Sequence, residues 1–134
     1  MKILLGHDGR EHSESAVRSA AELARGGGHV TILTVFPEGR FQREHDSIAR
    51  GRELLEAQGV DVSLRTEHGR AASEIVRVAE EGGYELIVVG SRGRGPVGEL
   101  LLGSVSRAVA RIASCSVLVV SKDAEQRLEP RPGA

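Results

Sequence analysis

Strands and helices alternate along this chain so regularly that the sequence predicts an α/β domain, an open, doubly wound parallel sheet of five strands with four helices. Two observations carry the prediction. Short apolar runs such as Leu86-Ile87-Val88-Val89 are too continuous for strands with one face in water, so both faces of the sheet must be covered. Between these runs lie stretches with helical apolar spacing, and right-handed crossovers are the way such elements join parallel strands.

Taken in order, Lys2 to Gly6 is a buried strand stopped by His7-Asp8-Gly9. From about Glu11 to Arg25, Ala16, Ala20, Leu23 and Ala24 recur at helical spacing, and Gly26-Gly27-Gly28 ends the helix. His29 to Phe36 is β-branched and mostly apolar, a strand; Glu44 to Gln58 is a weaker helix stopped by Gly59. Val60, Val62 and Leu64 alternate with Asp61, Ser63 and Arg65, the pattern of a strand with one wet face at or near a sheet edge. Ala72, Ile75, Val76 and Ala79 form a clear helical stripe, followed after Gly82-Gly83 by a strand over Tyr84 to Val89. A helix from Ser104 carries Val105, Ala108, Val109 and Ile112, and Ser116 to Ser121 is the last strand. One domain spans residues 1 to 122. The tail, 123 to 134, includes EQRLEPRPGA with two prolines and little to bury, and is expected to be disordered.

Composition narrows the function. A chain of 134 residues with a net charge of −1 has no long-range field for nucleic acid or anionic membrane, and no apolar stretch approaches the ~20 residues that span a bilayer. The lone Cys115 and the absence of a signal peptide point to the cytoplasm. The only lysines are Lys2 and Lys122, so an anion site must use arginine or backbone N–H groups.

The segment from Gly90 to Ser104, GSRGRGPVGELLLGS, puts five glycines and a proline directly after a buried strand. No Gly-Lys-Ser/Thr follows, which excludes a P-loop. Gly93-Arg94-Gly95-Pro96-Val97-Gly98 matches GxGxxG, yet the helix it would need opens only near Val105. The alternative spacing is Gly90-x2-Gly93-x9-Gly103-Ser104, in which Ser104 opens a helix as N-cap or anion ligand. The free N–H groups of Ser104, Val105 and Ser106, at the positive end of the helix dipole, suit a phosphate chain. The remaining reading is a long loop whose glycines only make turns. In an open sheet, ligands bind outside the carboxyl ends of the strands at the switch point, where Asp8 after the first strand would face the glycine loop.

That spacing, the strand VVG before it, SVLVV after it and the early HDGREHS segment together resemble the universal stress protein family, over about residues 1 to 122. The resemblance implies strand order 3-2-1-4-5 and a site for ATP. Gly90, Gly93, Gly103, Ser104 and Val105 would line the phosphates and ribose, and Asp8 would contact the nucleoside. The base would pack beside the end of the second strand, making Val35 and Phe36 candidates, with core packing the other reading of Val35. Arg92 and Arg94 could reach phosphates or simply be solvated. The function expected is binding of ATP or a related adenine nucleotide with Mg²⁺ by a stress-response switch or chaperone-like module. The alternative is a nucleotide-free interaction protein of the same fold.

Other chemistry is thin. The five histidines, His7, His12, His29, His45 and His68, lack metal-ligand spacing, and no acid and base are paired for fast hydrolysis. At most, slow turnover of ATP is expected. The resemblance places Ser116 to Ser121 at the sheet edge, where four apolar residues without proline, lysine or inward charge favour a homodimer through antiparallel pairing of this strand with its copy; the other reading is that the C-terminal tail folds back and covers the edge.

Overall fold

The computed structural model describes residues 1–7, 14–38, 46–91, 93–94, 100–101 and 103–121. The elements run β1 (Lys2–His7), α1 (Glu14–Ala24), β2 (His29–Phe36), α2 (Asp46–Ala57), β3 (Asp61–His68), α3 (Ala71–Gly82), β4 (Leu86–Gly90), β5 (Gly93–Arg94), β6 (Leu100–Leu101), α4 (Ser104–Ile112) and β7 (Ser116–Val120). Five strands form one parallel sheet in the order β3-β2-β1-β4-β7, which is 3-2-1-4-5 when only these five are counted. Among the described residues no helix is long and apolar enough to cross a membrane. The expected tail, 123 to 134, lies outside the described residues.

Strand alternation divides the core in two. Ile3, Leu5, Val30, Ile32, Val88 and Val120 point to one face, where α1 brings Ala16, Val17, Ala20 and Ala24 and α2 brings Ile48 and Leu55. Leu4, Leu33, Val35, Ile87 and Val89 point to the other, against Ile75, Val76, Val78 and Ala79 of α3 and Val109 of α4. Each fully buried Leu, Ile or Val here contributes about 1.5–3 kcal/mol relative to exposure, which is why continuous apolar runs read correctly as two-sided strands.

Helix α3 ends where its backbone turns left-handed at Gly83, φ 65°, and Tyr84 N–H donates 3.0 Å to the Ala79 carbonyl, closing a Schellman-type cap. At Gly6 of β1 a Cβ would stand 2.8 Å from Ile75 Cδ1 and 3.1 Å from Val89 Cγ1, so a bare backbone lets α3 seat directly on β1.

Three details depart from the sequence reading. Leu64 is 39% exposed although alternation puts it on the dry face of β3, because an edge strand is only partly covered by the helix beside it. Ile112 is 46% exposed because it sits in the last turn of α4, on the β7 side of the sheet. The glycine segment also contains a short antiparallel ladder, Gly93 with Leu101 and Arg94 with Leu100, which needs only backbone pairing and leaves no alternation to read.

Candidate nucleotide site

The sheet opens between β1 and β4. Their pairing stops at Leu5–Val88, while β1 stays paired with β2 through His7–Thr34 and β4 with β7 through Gly90–Val120. Each of the two central strands therefore runs two residues beyond their last mutual pair. The chain leaves β1 for α1 on one face and β4 for α4 on the other, which makes this the switch point of the sheet.

On the β4 side, Gly90 ends the strand half-buried, and the next residue, Ser91, donates its N–H 2.8 Å to the Val120 carbonyl. The β5–β6 ladder folds the segment back, tying Gly93 to Leu101 just ahead of Gly103. Gly103 is the N-cap of α4, extended at φ −71°, ψ 168°, and caps without a side-chain bond. Of the two roles the sequence offers Ser104, N-cap or anion ligand, the first is taken by the extended glycine before it, and Ser104 is the first helical residue. The first turn of α4 carries no acid and Arg111 lies in its last turn, so the positive end of the dipole is left uncompensated. Arg107 N–H closes the first turn on the Gly103 carbonyl at 3.0 Å. The N–H groups of Ser104, Val105 and Ser106 precede that bond and have no intrahelical acceptor.

Ser106 escaped the sequence reading as a side chain. It is 2% exposed, and its Oγ donates 3.2 Å to the Gly103 carbonyl, so it fixes the capping glycine from beneath. A serine three residues after the capping glycine was the available signal. Ser104 is exposed and Val105 half-buried, and the Ser104 hydroxyl bonds to no described residue.

On the β2 side, Val35 is 2% exposed and packs into the α3/α4 core, so its side chain fits the core reading. Its backbone is better placed. The Phe36 carbonyl accepts from Gly69 N–H at 2.8 Å and so points to β3; alternation then turns the Val35 carbonyl toward β1, beyond the last β1–β2 pair. Phe36 is itself buried and stacks obliquely on His68, ring centroids 6.0 Å apart. Asp8 and Arg92 lie outside the described residues, as does His12.

The acid most clearly shifted among the described residues is elsewhere. At the β3 margin, two strands from the opening, Arg77 donates to both oxygens of Glu74 at 2.8 and 3.2 Å and pairs with Glu81 at 2.9 Å and Glu67 at 3.4 Å. Hydrogen bonding from Arg77 outweighs desolvation and, helped by the charges of Arg77 and Arg65, holds the Glu74 carboxyl below its ordinary range. This network fastens α3 to β3. Among the described residues no group of three or more His, Cys, Asp or Glu could hold a metal ion. The crevice therefore offers backbone donors and a helix dipole, a set that suits phosphate oxygens.

The universal stress protein family model matches residues 1–121. The chain belongs to the universal stress protein family. Universal stress protein YxiE of Bacillus subtilis is 31% identical over 144 residues, covering 89% of this chain and 97% of the relative. The solved structure of universal stress protein MJ0577 of Methanocaldococcus jannaschii superposes with a TM-score of 0.66 at 30% identity, over 90% of this chain and 94% of that one. A universal stress protein solved in complex with cAMP superposes with a TM-score of 0.69 at 24% identity, over 91% of this chain and 97% of its own, a likeness of fold.

Proposed function

We propose that this universal stress protein binds ATP or a related adenine nucleotide with Mg²⁺ in the crevice between β1 and β4, and acts as a nucleotide-dependent switch or chaperone-like module in the cytoplasmic stress response. The observation that carries the reading is the uncommitted amino end of α4, opened by Gly103 and Ser104 beside the point where β1 and β4 part. In this reading the N–H groups of Ser104 and Val105 hold phosphate oxygens, and Gly90, Gly93 and Gly103 let the phosphates and ribose approach the backbone. Arg92 adds charge to the phosphates. Asp8 contacts the nucleoside, and the Val35 carbonyl, turned toward β1, accepts from the base. Mg²⁺ enters on the phosphates. The crystallised complex of a fold neighbour with cAMP supports the ligand class.

A second reading rests on β7. Among the described residues this edge strand is paired only with β4, and it presents Val117, Leu118 and Val119 half-buried, which favours a homodimer through Ser116–Ser121 and would serve equally a nucleotide-free interaction protein. Thermal unfolding with and without Mg·ATP separates the two. A ligand at 100 times its Kd stabilises by about 2.7 kcal/mol, several degrees in Tm for a domain of this size. An unchanged Tm at millimolar ATP would leave only the second reading.

A further inference from the structure

Four polar side chains form an unbroken chain across the amino-terminal end of the sheet, opposite the crevice. Asp61 Oδ2 lies 2.8 Å from His29 Nδ1, His29 Nε2 lies 3.1 Å from Thr31 Oγ1, and Thr31 Oγ1 lies 2.7 Å from the Tyr84 hydroxyl. The chain starts on β3, crosses β2 and ends on the residue that caps α3 and leads into β4. There the Lys2 ammonium stands 4.4 Å from the Tyr84 ring centroid and donates to the Gly82 carbonyl. Tyr84 also lines a cavity of about 270 Å³ walled by α3, the start of β4 and the turn from α4 into β7, together with Val76, Ala79, Glu80, Ile87, Ser114 and Cys115.

The direction of each bond follows from what the groups can donate. A carboxylate only accepts, so with His29 neutral its one proton sits on Nδ1 and points at Asp61. Nε2 is then bare and accepts from Thr31, whose single proton is committed there. The Thr31 oxygen in turn accepts from Tyr84. All donors are satisfied, and they run one way, from Tyr84 to Asp61.

Charging His29 adds a proton at Nε2, which must donate to Thr31. Thr31 is 3% exposed, and a buried hydroxyl proton left without an acceptor is costly. Its proton therefore goes to the Tyr84 oxygen 2.7 Å away, and half-buried Tyr84 turns its own proton out of the chain. We propose that this chain is a pH-responsive relay, in which the charge on His29 at the β2–β3 margin sets whether the Tyr84 hydroxyl donates to Thr31 or accepts from it. The charged groups around His29 are consistent with a switch driven through that chain. Asp61 is the one bonded to the ring, Lys2 and the Met1 amino group lie at the start of β1, Glu85 accepts from the Lys2 backbone N–H at 3.1 Å, and α3 brings the uncharged Gly82 carbonyl.

Tyr84 is the only tyrosine and the chain has no tryptophan, so its signal is unambiguous. The test follows the Tyr84 ζ-carbon shift and the His29 imidazole nitrogen shifts by NMR through a pH titration of the whole protein. Neutral His29 is expected as the Nδ1–H tautomer, and Tyr84 should step at the same midpoint as His29. In Thr31→Val, which keeps the shape and removes the middle link, the Tyr84 step should vanish while His29 still titrates; Thr31→Ser should restore it. Should Thr31→Val not fold, His29→Gln must abolish the step. An Nε2–H tautomer in the wild type, a flat Tyr84 signal, or a step that survives loss of either link overturns the relay.

Discussion

Replacing Gly103 by valine tests the phosphate end of the site with a change whose two effects separate. The backbone at Gly103, φ −71° and ψ 168°, is extended and open to any residue, so valine brings no left-handed strain. The glycine also caps α4 without a side-chain bond, so what the fold loses is a modest N-cap preference, about 1 kcal/mol at most. Binding loses more. A branched side chain at the mouth of the helix keeps a phosphate oxygen from the N–H groups of Ser104 and Val105, and one hydrogen bond to a charged group is worth about 1.5–3 kcal/mol. The expected result is a Kd for ATP raised about 10- to 150-fold, with the ligand-free Tm lowered by only a few degrees. Calorimetric titration of both proteins gives the first number and thermal unfolding without nucleotide the second. Equal affinities would refute the reasoning and place the nucleotide away from α4.

Gly51 lies inside α2, where an added Cβ meets Val17 Cγ2 at 3.5 Å and Ile32 Cδ1 at 3.8 Å, ordinary contacts; Gly51→Ala should therefore stabilise by about 1 kcal/mol, and a lower Tm would contradict that packing. Glu74 titrates below its ordinary value of 4.5 in the folded state, so it binds a proton less readily folded than unfolded. Its contribution is whole above the unfolded value and is lost as pH falls through the lower folded one. Glu74→Gln should lower Tm near neutral pH, and the gap to wild type should close in acid; a gap independent of pH would show that the Arg77 network does not set it. Val119→Lys puts a charge on the half-buried β7 edge and should convert a dimer to monomers by light scattering with the circular dichroism unchanged, while a wild type already monomeric at tens of micromolar removes that interface.

The fold was legible because its signals are local. β2 reads to the residue, His29–Phe36, since a β-branched run is bracketed by Gly28 and Pro37. The strand order came from resemblance, as nothing in an alternating pattern says which strands are neighbours. What escaped was context. Alternation assigns Leu64 to a face without saying how far α2 covers it, a two-residue ladder such as Gly93–Arg94 with Leu100–Leu101 has no period, and Ser104 looks like a cap until the conformation of Gly103 is known. The parting of β1 from β4 after Leu5 and Val88 is likewise a property of two distant segments. The same holds for Ser106 and for the contact of Phe36 with His68.

Nucleotide binding at the amino end of α4 is read directly by a backbone amide NMR titration with Mg·ATP. The largest shifts are expected on Gly90, Gly103, Ser104, Val105 and Ser106, with smaller ones at Val35 and Phe36, while Tyr84 and Cys115 at the opposite end of the sheet stay still. Shifts confined to that opposite end, or none at millimolar nucleotide, would contradict it.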